Sequence, residues 1–186
     1  MAIDGGDVAL PASGNYTIIA HLTADGTPTL GVFANDTSTI AAGEGRLTVR
    51  HTAAAPAVDV LANGAVAFSN LANPNEAAAD LPVGTVTAAV VPTGVSEPVV
   101  IGPADLPIAD GASLIVYAVG SLDGGSLTVL TESINGLGSA PTAVNTGNSP
   151  VENNTVYVFG AAALMAALAV GAADDDNIVV YSSPLD

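Results

Sequence analysis

The sequence of 186 residues contains no lysine, no cysteine and no tryptophan, and Arg46 and Arg50 are its only strong cations. Against them stand eighteen Asp and Glu residues, for a formal net charge of −16. Such a surface repels nucleic acids and anionic lipid headgroups. We therefore expect no nucleic-acid partner. Acidity without lysine is typical of an exposed secreted protein, or of one that works in high salt.

The missing residue types also limit the chemistry that the chain can carry out. Without cysteine there are no disulfides and no thiol catalysis, and two histidines with carboxylates make a poor structural zinc site. No serine lies in a Gly-x-Ser-x-Gly turn, and no Gly-Lys-Ser/Thr follows the glycine-rich turns. The run Asp174 to Asp176 lacks the spaced loop of known calcium sites. We therefore expect no enzyme, and no catalytic, cofactor-binding or metal residues.

Short alternating or apolar runs recur from residue 8 to about residue 134, separated by Gly, Pro, Asn and Asp. Asn63-Gly64 predicts a two-residue hairpin turn, and Pro98 and residues 103–107 suit sheet edges. No segment of this region shows a clear helical apolar stripe. The pattern predicts a mainly β protein, an Ig-like antiparallel β-sandwich, with strands near residues 7–10, 15–22, 28–35, 45–52, 56–62, 65–68, 84–91, 98–101, 112–119 and 126–133.

Two stretches of the chain are similar to each other. AHLTADGTPTLGVFAND, residues 20–36, and RHTAAAPAVDVLANG, residues 50–64, both place a histidine at the end of an alternating run, before a small-residue turn and a proline. The similarity predicts a strand–turn–strand module used twice, with His21 and His51 at equivalent corners. It also suggests that the first module is incomplete.

The sequence beyond residue 134 changes character twice. Residues 135–154 are rich in Gly, Ser, Pro and Asn, which is typical of a linker. Residues 155–173 hold nineteen residues without a charge, close to the length that spans a bilayer, and their Ala, Leu and Met favour a helix. We predict five parts: a partial β-module (1–44), a complete β-sandwich module (45–134), the linker (135–154), an apolar helix (155–173) and an acidic, strand-like tail (174–186).

Three spaced motifs resemble one protein family. RLTVRHTAAAPAVDVLANG, LPVGTVTAAVVPTG and GASLIVYAVGSLDGGSLTVL occur in order, and they are similar to an uncharacterised bacterial family of secreted or wall-attached domains of unknown function. The resemblance covers residues 45–133 as one copy, and residues 7–44 look like the closing strands of a preceding copy. It implies an Ig-like or transthyretin-like sandwich and no established activity.

The C-terminal part looks like a degraded wall-sorting signal. Thr146-Gly147 matches the Thr-Gly of such a signal, whereas the preceding Leu-Pro is missing and acid replaces the usual basic tail. The departure argues against sortase cleavage and against simple membrane insertion.

The histidines and Asp59 are the remaining candidates for a site. His21 and His51 are suited to metal binding, to a pH switch or to general-base catalysis, but a structural role, with each ring bonded to a nearby turn carbonyl, explains them better. Asp59 points away from Val58 and Val60 on an alternating strand. We expect it to meet solvent or an ion-pair partner, for which Arg50 is the obvious candidate.

Nineteen uncharged residues need a partner, since they would form a large exposed patch on a soluble monomer. We expect a structural extracellular or cell-surface protein that assembles into a fibre, using its tail and an open sheet edge. The alternative is a membrane- or wall-anchored adhesion or ligand-binding module, with residues 155–173 in contact with a membrane. The residues expected to make subunit contacts are Ile178, Val179, Val180, Tyr181, Val156, Val158, Leu164 and Leu168.

Overall fold

The computed structural model describes residues 13–138. This part of the chain contains ten strands and no helix, as the sequence predicts for a mainly β protein. The strands are β1 (Asn15–Leu22), β2 (Pro28–Asn35), β3 (Glu44–His51), β4 (Val58–Ala62), β5 (Ala65–Leu71), β6 (Glu76–Pro82), β7 (Gly84–Pro92), β8 (Ile101–Ile108), β9 (Ser113–Val119) and β10 (Thr128–Ile134).

Eight strands form two four-stranded sheets that pack face to face. The front sheet has the order β10-β9-β3-β6, and the back sheet has the order β5-β4-β7-β8. All neighbouring strands are antiparallel except β3 and β9, which run parallel in the middle of the front sheet. A parallel pair needs a long crossover, and here the crossover is the entire back sheet together with β6.

The core between the sheets follows from the alternation of side chains along each strand. Leu47 and Val49 of β3 and Val116 of β9 face inward from the front sheet, and Val60 and Val90 meet them from the back sheet. Asn63 and Gly64 form the predicted hairpin turn between β4 and β5, with φ angles of 50° and 82°. The apolar residues of each alternating run thus form the core between the two sheets.

The remaining strands, β1 and β2, form a separate antiparallel hairpin. They pair from Asn15↔Asn35 to Leu22↔Pro28 around a turn that contains Asp25-Gly26, where Gly26 has a φ of 86°. One face of this hairpin, with Thr17, Phe33 and Asn35, is buried. The side chains that its members contact lie on the outer face of the front sheet, so the hairpin covers that face.

The two similar stretches do not form equivalent units, so the prediction of a module used twice is wrong. Strands β1 and β2 pair directly with each other, whereas β3 and β4 lie in different sheets. The segment between His51 and Val58 therefore crosses from one sheet to the other instead of closing a hairpin. Strands β9 and β10 likewise pair with each other as an antiparallel hairpin.

Two strands differ from the prediction. Strand β6, EAAADLP, was not predicted, because Glu, Ala and Asp are poor strand formers. Strand β8 runs from Ile101 to Ile108, further along the chain than the predicted 98–101, and includes Pro103 and Pro107. Both strands lie at sheet edges, where proline is tolerated.

Several predictions lie outside the described residues: the strand at 7–10, the linker from residue 139 onward, the helix at 155–173 and the tail at 174–186. Within residues 13–138, no helix is long and apolar enough to cross a membrane.

Candidate functional site

The outer face of the front sheet carries a row of polar side chains that the hairpin covers. Strand β3 alternates, so that Arg46, Thr48 and Arg50 face outward while its leucine and valine face the core. Each arginine lies opposite an acid in the β3–β6 register, Arg46 opposite Asp80 and Arg50 opposite Glu76. Cross-strand pairing of opposite charges therefore explains how an acidic chain buries its two strong cations.

Arg50 is only 1% exposed and has a partner for each guanidinium nitrogen. Its Nε lies 2.6 Å from Oε2 of Glu76, Nη1 donates to the hydroxyl of Tyr117 at 2.6 Å, and Nη2 donates to Oδ1 of Asn35 at 2.9 Å. The guanidinium carbon also lies 4.5 Å from the centre of the Phe33 ring. A buried arginine is stable only with such complete pairing, so this site holds one geometry.

The contacts of Arg50 close into a ring of hydrogen bonds. The hydroxyl of Tyr117 donates to Oε2 of Glu132 at 2.8 Å, and the hydroxyl of Thr17 donates to the same oxygen at 3.1 Å. Nδ2 of Asn35 donates to Oγ1 of Thr17 at 2.9 Å. Two members of this polar ring come from the hairpin and three from the front sheet. The polar ring therefore fastens the hairpin to the sheet.

Burial has a direct electrostatic effect at Tyr117. Burial raises the pKa of its hydroxyl, since the charged form loses hydration, and the hydrogen bond with Thr17 and the nearby charge of Arg50 only partly offset this. The hydroxyl therefore stays protonated at neutral pH and acts as the donor to Glu132. This arrangement can hold a structure together, but it offers no free nucleophile.

A second set of contacts fixes the chain after the hairpin. Arg46 forms a two-pronged pair with Asp80, with distances of 2.7 Å and 3.0 Å, and its Nη1 lies 2.9 Å from Oδ2 of Asp36. Hydrogen bonds from Ser38, and to a smaller degree Arg46, lower the pKa of Asp36. The polar ring thus holds the strands of the hairpin to the front sheet, and the contacts of Arg46 hold the segment that follows β2.

Asp59 does not pair with Arg50, and that prediction is wrong. Arg50 lies on the outer face of the front sheet, whereas Asp59 lies in β4 of the back sheet. The carboxylate of Asp59 instead accepts backbone hydrogen bonds from Gly94 at 2.9 Å and Asn70 at 2.8 Å. These bonds, the one from Gly94 first, lower its pKa. Asp59 ties the end of β5 to the loop between β7 and β8.

Both histidines bond to backbone carbonyls, as a structural role requires. Nδ1 of His21 lies 2.9 Å from the carbonyl oxygen of Leu22, and Nε2 of His51 lies 3.0 Å from that of Pro56. The two rings belong to different parts of the fold, His21 to the hairpin and His51 to the front sheet. Within residues 13–138, no group of three or more His, Cys, Asp or Glu side chains could hold a metal ion.

A cleft of about 370 Å³ separates the hairpin from the edge of the front sheet. Strand β1 pairs only with β2, and β10 is the last strand of its sheet, so among the described strands each has one unpaired edge. The lining includes Ile18 and Ile19 of β1 and Leu130 of β10. Ile18 and Leu130 are exposed. Unpaired strand edges beside apolar side chains favour the addition of another strand.

Arg50 is among the residues singled out from the sequence, but its true partners were not predicted. The alternation of Arg46, Thr48 and Arg50 on one strand was a usable signal, because three polar residues on one face require partners. Tyr117 and Glu132 carried no comparable signal, since pairing across sixty or more residues depends on the topology. The residues expected to make subunit contacts, from Val156 to Tyr181, lie outside the described residues.

Residues 1–61 match the sequence profile of a family described as a domain of unknown function (DUF4397). The match includes β1, β2 and β3 and most of β4, and it covers about a third of the chain. It agrees with the expected similarity to a family of unknown function, although that similarity was expected mainly over residues 45–133. No curated protein and no solved structure matches the chain.

Proposed function

We propose that the protein is a structural component of the cell surface or extracellular space, and that its copies associate by strand addition at the cleft between β1 and β10. The observation that carries the proposal is that two unpaired strand edges flank one cleft whose lining includes the apolar side chains of Ile18, Ile19 and Leu130. The polar ring keeps β1 at a fixed distance from β10, so the cleft is preformed. A preformed cleft reduces the entropy cost of binding.

The occupant that we propose is the C-terminal part of a neighbouring copy. Forty-eight residues follow residue 138, and they include two apolar runs, residues 155–173 and Ile178 to Tyr181. The second run shows little alternation of apolar and polar residues, so it does not need a solvent-exposed face. Its Ile, Val and Tyr are good strand formers. In this proposal, Ile178 to Tyr181 pairs with β1, and the apolar helix with Val156, Val158, Leu164 and Leu168 covers the exposed side chains nearby.

We also propose a finer architecture for the chain and for its assembly. The two packed sheets act as an Ig-like sandwich, and a head-to-tail contact through the tail builds a filament, because such contacts need not close. The formal charge of −16 and the lack of cysteine suit a surface-exposed subunit held by burial and strand pairing. The chain would have no catalytic role.

Measuring the size of the assembly that the full chain forms tests this proposal. We expect large polymers in sedimentation velocity and filaments in negative-stain images. Leu130→Glu places a charge in the cleft and should abolish them. The control is Val66→Glu, which changes an equally exposed residue on the back sheet, since Leu130 is 53% and Val66 56% exposed. A wild-type monomer, or equal effects of the two variants, would contradict the proposal.

Deletion of residues 174–186 tests the occupant separately. A truncated chain that still forms the same filaments would exclude the tail as donor strand.

The alternative function, a membrane- or wall-anchored adhesion or ligand-binding module, rests on the uncharged residues 155–173. Such a module would partition into detergent and would sediment as a monomer once solubilised.

A further inference from the structure

An apolar cavity of about 160 Å³ lies between the two sheets, at the end where the chain crosses from β3 to β4. His51 and Ala118 line it from the front sheet, and Val58 and Val90 line it from the back sheet. Leu122, in the turn between β9 and β10, also lines it and is partly exposed to solvent. The cavity therefore lies close to the surface.

Among the described residues that line the cavity, His51 is the only one with a polar side chain; the others are Ala, Pro, Val, Ile and Leu. Its Nε2 lies 3.0 Å from the carbonyl oxygen of Pro56. A carbonyl oxygen only accepts, so Nε2 carries the hydrogen. Burial lowers the pKa of the ring, which is therefore neutral at pH 7. Nδ1 then presents a bare lone pair.

That lone pair has no donor in the described part of the chain: Nδ1 of His51 is the only buried side-chain nitrogen or oxygen there without a hydrogen-bond partner. A water molecule is a poor solution, because a buried water needs two to four polar partners and this lining offers one. An apolar cavity of about 150 Å³ in another protein stays dry and binds benzene. Size and chemistry thus point to an apolar molecule with one donor.

We propose that this cavity binds a small uncharged molecule with an apolar body and a single hydroxyl group, whose O–H donates to Nδ1 of His51. Phenol has the required size and the required single donor. Toluene has nearly the same shape and lacks the donor. The comparison of the two isolates the role of the histidine, and it is independent of assembly through the cleft.

The experiment is a titration of the full chain with phenol and with toluene, followed by NMR with ¹⁵N-labelled histidine. We expect phenol to bind about fivefold more tightly, the factor that one net hydrogen bond of about 1 kcal/mol supplies. The ¹⁵N signal of Nδ1 should shift with phenol and stay in place with toluene. Absence of binding by both compounds, or equal affinities, would overturn the proposal.

Two variants complete the test. His51→Phe keeps a ring of similar shape and removes the acceptor, so the preference for phenol should disappear. His21→Phe changes the other histidine, which lies in the hairpin, and should leave the preference unchanged. If His51→Phe does not fold, the comparison of phenol with toluene on the wild-type chain still decides the question.

Discussion

The hydroxyl of Tyr117 accepts a 2.6 Å hydrogen bond from Nη1 of Arg50, although the two residues are 67 positions apart in the chain. The bond is possible because β3 and β9 are parallel neighbours and Arg50 pairs with Tyr117 in their register. The hydroxyl of Tyr117 in turn donates a hydrogen bond to Glu132. The most buried charge of the described residues is thus held by the topology of the front sheet.

Arg50→Met should destabilise the protein strongly. The change keeps an apolar stem but leaves Glu76, Asn35 and Tyr117 without their donor. Breaking a buried pair costs about 3–5 kcal/mol, and we expect a loss of about 3 kcal/mol, since Glu76 is partly exposed. Urea unfolding measures the loss, and a change below about 1 kcal/mol would show that water replaces the guanidinium.

Tyr117→Phe and Thr17→Val each remove one donor to Glu132. Each should cost about 1–2 kcal/mol of unfolding free energy, the penalty for leaving a buried partner unsatisfied. Because both belong to one closed polar ring, the double variant should lose less than the sum, by at least about 0.5 kcal/mol. Additive losses in a double-mutant cycle would mean that the hydrogen bonds act independently.

Asp59→Asn should make the free energy of unfolding less dependent on pH in the acid range. The folded carboxyl has a lowered pKa, so its ionised form stabilises the fold at pH values above the unfolded pKa of about 3.9. That contribution is lost as the pH falls through the folded value. The difference in unfolding free energy between wild type and variant should be constant near pH 7 and should shrink below about pH 4. Unfolding curves between pH 7 and pH 2.5 measure it, and a constant difference would exclude the carboxylate as the cause.

Gly45→Ala should destabilise the fold by about 1–3 kcal/mol through overpacking. A Cβ at this position of β3 would collide with the carbonyl oxygen of Ala109 and lie 2.9 Å from Cγ2 of Ile108. The matched control is Gly138→Ala, whose Cβ would lie at an ordinary 3.4 Å from Gly111. Thermal unfolding compares the two, and equal melting temperatures would show that the loop at Ala109 yields without cost.

The sequence predicted local structure well where side-chain chemistry acts locally. The Asn63-Gly64 turn and the alternating run of β3 specify their own conformation, because positive φ and a buried face are properties of neighbouring residues. Strand β6 could not be found in this way. Its Glu76 and Asp80 match Arg50 and Arg46, which becomes visible only once the two strands are known to pair.

The candidate site was predicted only in part for the same reason. Arg50 was expected to pair with Asp59, as a guanidinium with a carboxylate. The real partners come from β6, β9, β2 and β10, and the sequence alone does not determine the sheet order. Similarly, the repeated letters around His21 and His51 did not reveal that one stretch folds back while the other crosses between sheets.

The parallel pairing of β3 with β9 also orders events during synthesis. Strand β3 leaves the ribosome early, but its neighbour β9 follows only after the whole back sheet, and late contacts of this kind slow folding. The hairpin β1–β2 is made before the other described strands, yet the surface that receives it is complete only when β10 has been made. In that interval both faces of the hairpin are uncovered, and exposed strands on an incomplete chain are prone to associate. The unfinished chain is therefore the form of this protein that we expect to associate most readily.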